Sequence, residues 1–235
     1  MPDEVVADDV VTAQRSYPVN IKGELAEKMG GGLWLIKWLL LIPHYVCLVF
    51  LWVAFVVLTV FAFFAILFTG RYPRGIFDFN VGVMRWTWRV GFYGYEALGT
   101  NKYPPFALRS IEDYPADLYI DYPERLSRGL VLIKWWLLAI PHYLVVAYFA
   151  AASSITGGST AGWGWASYGG AAGGTMVGGG LISLLVIIAA VVLLFKGYYP
   201  KDIYNFVLGM NRWSYRVSAY AALMTDKYPP FRLND

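Results

Sequence analysis

The sequence predicts an all-α integral membrane protein built by tandem duplication. Each repeat reads as a transmembrane helical hairpin followed by an amphipathic interfacial helix, four spans in total. Three observations carry this. The stretch TGRYPRGIFDFNVGVMRWTWR, from Thr69 to Arg89, returns as KGYYPKDIYNFVLGMNRWSYR from Lys196 to Arg216. A long apolar run precedes each copy, and KYPPF follows each, at Lys102–Phe106 and Lys227–Phe231. The composition is 58% apolar and 15% charged, whereas about a quarter of the residues of a soluble domain are charged.

The first element is residues 1–16, a polar segment without helical or strand periodicity. Asp3, Glu4, Asp8 and Asp9 give it the character of a disordered acidic tail rather than the basic-then-apolar form of a signal peptide. Repeat one then runs over 17–108, a linker over 109–113, and repeat two over 114–233. Both repeats open on Tyr-Pro, at Tyr17-Pro18 and Tyr114-Pro115. Val19–Ile21 and Leu118–Ile120 have the apolar, partly β-branched composition of short strands that pair across the repeats.

From Trp38 to Gly70 there is no Asp, Glu, Lys or Arg. About 20 residues cross a bilayer, so this run has the length of one long span or two joined ones. Repeat two favours two, because a Gly/Ser/Trp-rich insert over 153–180 interrupts its corresponding run. Loop backbone facing lipid has no partners for its amides, which puts the insert outside the membrane. The expected spans are 33–52 and 53–68 in repeat one, with 130–153 and 180–195 in repeat two. Every Lys and Arg then falls on one face or within snorkelling reach of it, which orients both termini toward the cytoplasm and the insert away from it. Lys37 and Lys134 are expected to snorkel to that face. The 10 Trp and 18 Tyr suit an aromatic belt at the membrane surface.

Gly70 and Gly197 are set to cap the second spans, with Pro73 and Pro200 just beyond. In the helix that follows, Phe77, Val81, Met84 and Trp88 share an apolar face, and Asp78, Gly82, Arg85 and Arg89 a polar one. Repeat two repeats the polar stripe as Asn205, Gly209, Arg212 and Arg216. Too many charges fall here for a span, and a helix lying in the headgroup layer fits both copies. The series IPHY, GRYPRGIFDF, VGVMRW and KYPPF, present twice in fixed order, resembles the bacterial membrane family named domain of unknown function 4389. The resemblance implies a bacterial, often actinobacterial, plasma-membrane protein and brings no activity or catalytic residues with it.

Candidate chemistry is sparse. His44 and His142 are the only histidines, both in Ile-Pro-His-Tyr. Two readings stand side by side: a haem or redox site or proton path between the repeats, and side chains that satisfy the kink left by Pro43 and Pro141. Arg71, Arg74, Arg85, Trp86, Arg89, Lys201, Arg212, Trp213 and Arg216 are the candidate contacts to anionic headgroups, each basic residue contributing about 1 kcal/mol near such a surface. Asp78 is a candidate helical partner for Arg74 or Arg85. The single cysteine, Cys47, gives no disulfide, and no metal-spaced cluster or catalytic triad is present. Nucleic-acid binding has no basis beyond scattered arginines. The reading is a non-enzymatic accessory or scaffold subunit, with lipids and a membrane protein or a second copy as partners and without a cofactor. A haem protein using His44 and His142 is the alternative, and a small transporter or channel the next.

Overall fold

The structure is a computed structural model that describes residues 17–26, 32–134 and 181–233, together with residues 138, 140, 141 and 144. In chain order its elements are β1 (Val19–Gly23), α1 (Trp34–Thr69), α2 (Arg74–Tyr93), β2 (Ala116–Ile120), α3 (Arg128–Ile133), α4 (Leu181–Lys196) and α5 (Lys201–Ala221). The described residues are mostly helical. One helix, α1, is long and apolar enough to cross a membrane, and α4 is a shorter apolar helix. The insert over 153–180, the acidic tail and His142 lie outside the described residues.

The expected strands form and pair. β1 and β2 make a two-stranded antiparallel ribbon in which Ile21 faces Leu118 and Val19 faces Ile120. Ile21 and Leu118 are equivalent positions of the two repeats, so the register is unchanged when the repeats are exchanged. A second self-equivalent pair marks the same axis, since Trp88 of α2 meets Tyr215 of α5 with ring centroids 5.6 Å apart. The repeats are thus related by a pseudo-twofold axis through the ribbon and the α2–α5 crossing.

Repeat one departs from expectation at its apolar run. Instead of a hairpin turning near residues 52 and 53, Trp34–Thr69 is one continuous helix of 36 residues, about 54 Å long at 1.5 Å per residue. Between His44 and Thr69 there is no Gly, Pro, Asn, Asp or Ser to stop it. Its buried stripe runs unbroken through the expected turn: Lys37, Leu41, His44, Leu48, Phe55, Ala62 and Ile66. Leu41, Leu48, Phe55 and Ala62 recur every seven residues, the narrow seam of a helix that packs along one partner. That partner is α2, which runs back along α1. Asn80 bonds Thr59 at 3.1 Å near one end, and Trp86 bonds His44 at 3.0 Å near the other. The remaining faces of α1 expose Ile36, Leu39, Phe50, Val53, Phe61 and Phe68.

The corner between α1 and α2 has the expected chemistry. Gly70 takes φ 72°, and its N–H closes on Ile66 O at 2.7 Å, the left-handed end that lets a helix stop without a Cβ clash. Pro73, extended at φ −60°, then starts α2 as its N-cap. Gly197 (φ 74°) and Pro200 repeat the device between α4 and α5. At the far ends, Leu98 and Leu223 occupy equivalent positions at φ 51° and 65°. A left-handed non-glycine conformation costs about 1–2 kcal/mol, and burial of both side chains in the core holds it there.

α2 was expected to lie in the headgroup layer, and it is instead enclosed. Phe77, Val81, Met84 and Trp88 are buried as their periodicity required, but so are Gly82 and Arg89 on the polar side. Residues 97–118 cover that polar side: a Cβ on Gly82 would sit 2.8 Å from Leu108 Cβ. Gly209 of α5 approaches Leu233 in the same way, at 3.0 Å. The segments just after KYPPF, at Leu108 and Leu233, close over these helices.

Candidate functional site

The densest polar chemistry lies where α2 meets β2. Asp117 points inward from the strand, between Ala116 and Leu118, and its side chain is 5% exposed. Arg85 Nε reaches Asp117 Oδ1 at 2.8 Å and donates to Leu118 O at 2.9 Å. Arg89, with a fully buried side chain, donates from Nη2 to the same Oδ1 at 3.3 Å and to Arg109 O at 2.8 Å, and from Nη1 to Ala107 O at 3.2 Å. Ser110 Oγ donates to Oδ2. Burial pushes the Arg89 pKa down and the charge of Asp117 opposes the shift. One carboxylate therefore serves two guanidiniums, and Arg85 Nη1 with both Nη atoms of Arg89 also donates to the carbonyls of the 107–109 segment. These two arginines face protein rather than headgroups. The reason is Asp117, an acid far along the chain that only the ribbon brings to them.

The arginine helix of repeat two, α5, packs instead on the other strand, β1. The position equivalent to Asp117 is Asn20. Arg212 donates to Leu233 O at 3.4 Å and Arg216 to Arg232 O at 3.3 Å, with the Arg216 guanidinium 5.5 Å from the Tyr17 ring. Trp86 and Trp213 are also interior, 7% and 3% exposed. Arg71, Arg74 and Lys201 remain on the surface. Arg74 makes the expected helical pair with Asp78, at 3.6 Å, and covers the Tyr122 ring at 4.4 Å. Beside it, Arg74, Phe77, Arg85, Arg109 and Tyr122 line an open groove of about 530 Å³.

Lys37 and Lys134 do not snorkel. Both are fully buried. Lys37 Nζ donates to Thr100 O at 2.5 Å and lies 4.5 Å from the Tyr93 ring centroid. Lys134 Nζ donates to Thr225 O at 2.7 Å and pairs with Asp226 at 2.9 Å, above Tyr220 at 5.1 Å. Each lysine thus pins the start of its apolar helix to the turn before KYPPF, through a carbonyl and an aromatic face.

His44 is buried in an aromatic box. It stacks on Phe106 at 3.8 Å and 14°, with Tyr103 5.0 Å and Trp86 5.8 Å away. Its Nδ1 accepts from Trp86 Nε1 at 3.0 Å. The proton of the neutral ring then resides on Nε2, which has no partner among the described residues. A metal needs an unprotonated ring nitrogen. Freeing Nε2 would move the proton to Nδ1, against the indole N–H. The residues around His44 accordingly do not fit a haem ligand, and they do fit a core histidine held by an indole. Trp213, Tyr228 and Phe231 keep the same aromatic grouping in repeat two, with centroids 6.1 and 6.2 Å apart. Among the described residues no group of three His, Cys, Asp or Glu is placed to hold a metal.

A family described as "Domain of unknown function (DUF4389)" matches residues 33–107 and 175–232. The chain belongs to this family. No curated protein and no solved structure matches it. The first matched segment of DUF4389 holds α1, α2, the His44 box and the first KYPPF. The second begins inside the insert, so the family's repeated core is the apolar helix, the Gly–Pro corner, the arginine helix and KYPPF.

Two interior features had no separate sequence signal. Asn80 donates to Thr59 Oγ1 at 3.1 Å and to Tyr72 Oη at 2.9 Å, a buried polar trio between α1 and α2. Glu96 folds back onto Gly91 in the turn after α2. Comparing the repeats residue by residue would have flagged both: Val186 and Val207 stand where Thr59 and Asn80 stand, and repeat two has no counterpart of Tyr95 and Glu96.

Proposed function

We propose that the protein is a non-enzymatic, multi-pass protein of a bacterial plasma membrane that serves as an accessory or scaffold subunit of a membrane complex. The observation carrying this reading is a division of surfaces. α1 presents apolar side chains on every face except its seam, while Arg85, Arg89, Lys37 and Lys134 spend their hydrogen bonds inside the protein. That is the make-up of a rigid part meant to be held in lipid and against a neighbour, not of a site open to substrate.

Arg71, Arg74 and Lys201, which stay at the surface, are proposed to rest on anionic headgroups. The bond from Tyr17 Oη to Lys227 O, 2.9 Å, holds the two ends of the described chain together. It supports the reading that both termini lie on one side, taken as the cytoplasm because basic residues favour it. The insert is proposed to lie on the opposite side, and cysteines introduced there should label only from outside the cell.

Native mass spectrometry after gentle extraction from the host membrane tests the function. A second polypeptide riding with the chain is the expected result. Bare chain carrying only lipid, at every detergent strength, would overturn the scaffold reading and turn attention to transport.

A further inference from the structure

Counted from Arg89 to Thr100 and from Arg216 to Thr225, the turn after the arginine helix is two residues longer in repeat one. The excess is Tyr95 and Glu96. The turn is held by backbone bonds from Glu96 N to Gly91 O at 3.1 Å, Leu98 N to Gly94 O at 3.0 Å and Gly99 N to Phe92 O at 2.9 Å. Glu96 is half-buried, and its carboxylate folds back onto Gly91. Only the missing side chain of Gly91 makes room for it: a Cβ there would fall 2.1 Å from Oε2.

Nothing balances that carboxylate. Tyr45 of α1 and the adjacent Tyr95 are the titratable groups set near it, and α5 faces the turn with the neutral amide of Asn211. No lysine, arginine or hydrogen-bond donor among the described residues acts on its charge. Burial alone pushes the Glu96 carboxyl up to about 7.

The same turn is where repeat two takes hold of repeat one. Asn211 Nδ2 donates to Glu96 O at 2.9 Å, and Tyr199 Oη donates to Ala97 O at 3.0 Å. We propose that Glu96 is a proton-binding site that governs the junction between the repeats. As a neutral acid it lies on Gly91 and seats the turn. Releasing its proton to water leaves an unbalanced carboxylate that draws the turn outward and loosens the grip of Asn211 and Tyr199.

The sign follows from linkage. The carboxyl is raised above the ordinary glutamate value of about 4.3, so the folded state holds its proton more tightly than the unfolded chain. Stability should fall as pH rises from about 4.3 through about 7 and then level off.

The test is infrared difference spectroscopy on the full chain, titrated with acid and base, with hydrogen exchange read over residues 95–100. The expected result is a protonated-carboxyl band that fades with a midpoint near 7 and is missing in Glu96→Gln. Exchange in the turn, corrected for its intrinsic pH dependence, should rise at least several-fold across that midpoint in the parent and stay level in the variant. Gly91→Ala, which ejects the carboxylate, should return the midpoint to the ordinary carboxylate range. A band that titrates there in the parent, or that survives Glu96→Gln, would overturn the site. A band that behaves as expected with no change in exchange would overturn its coupling to the junction.

Discussion

The two repeats carry the same arginine helix, the same Gly–Pro corner and the same KYPPF segment, yet they fill their interiors differently. The arginine helix of repeat one receives Asp117 from the strand of repeat two, between Arg85 and Arg89, and repeat one threads Asn80 between Thr59 and Tyr72. The arginine helix of repeat two meets the strand that carries Asn20 of repeat one, repeat two has Val207 and Val186 at the other places, and its Tyr199 turns across to Ala97 instead. The shared features fix where the backbone goes. The differing ones decide which charges and hydrogen bonds each half must satisfy.

The sharpest way to break this comparison is at the strand. Asp117→Ala leaves two guanidiniums facing each other in a closed site, and truncating one member of a buried ion pair costs about 3–5 kcal/mol. Asn20→Ala, at the equivalent position, removes no charge and should stay within about 0.5 kcal/mol. Thermal unfolding of the two variants in one detergent, followed by circular dichroism, reads the difference directly. Equal losses would mean that Asp117 does not organise its cluster.

A smaller effect is expected where the repeats agree. Gly82→Ala pushes a methyl into Leu108, and overpacking costs about 1–3 kcal/mol. Gly209→Ala should follow it, because Leu233 sits in the same relation at 3.0 Å. Gly75, with open space around it, is the control: alanine there should be neutral or gain up to about 1 kcal/mol from helix propensity. The same unfolding assay decides, and a stable Gly82→Ala would show that the segment around Leu108 lifts off α2 easily.

A smaller loss than at Gly82 is expected of Asn80→Val, which gives repeat one the residue of repeat two. It strips the Tyr72 hydroxyl of its donor and is expected to cost about 1 kcal/mol. Adding Thr59→Val removes another polar partner and should recover part of that loss, since replacing both members of a bonded pair is often nearly neutral. A double variant worse than the single would show that Thr59 acts through α1 alone, by its bond to Phe55 O at 2.7 Å.

Much of the scaffold was legible in residue types. Pairing of residues 19–21 with 118–120, the caps at Gly70 and Gly197 and the buried face of α2 all follow from alternation, turn chemistry and helical period. The continuity of α1 was not. Its seam of sevens is written in Leu41, Leu48, Phe55 and Ala62, but in a run where nearly every position is apolar a buried stripe has no contrast. The hairpin was inferred from the insert, which belongs to repeat two alone. The arginines and lysines misled for a different reason: a sequence shows a charge but not its neighbours. Arg89 and Asp117 meet only through the ribbon, and Lys37 meets Thr100 only once α1 and α2 lie side by side. Glu96 was hidden because no apolar run contains it and the fold brings it inside.

The Tyr17 bond to Lys227 O and the Tyr114 bond to Lys102 O are one contact made twice, at 2.9 and 3.2 Å. In the second, peptide links run straight from KYPPF to the strand. In the first, the same neighbours meet through space alone. The fold is therefore closed like a ring whose covalent gap has no structural counterpart. Joining residue 233 to residue 17 through a segment copied from 107–113, and cutting at 109–113, would reorder the polypeptide without reordering the protein. A circular permutant of that design should reach the parent's fold, with its former ends now the interior of a loop.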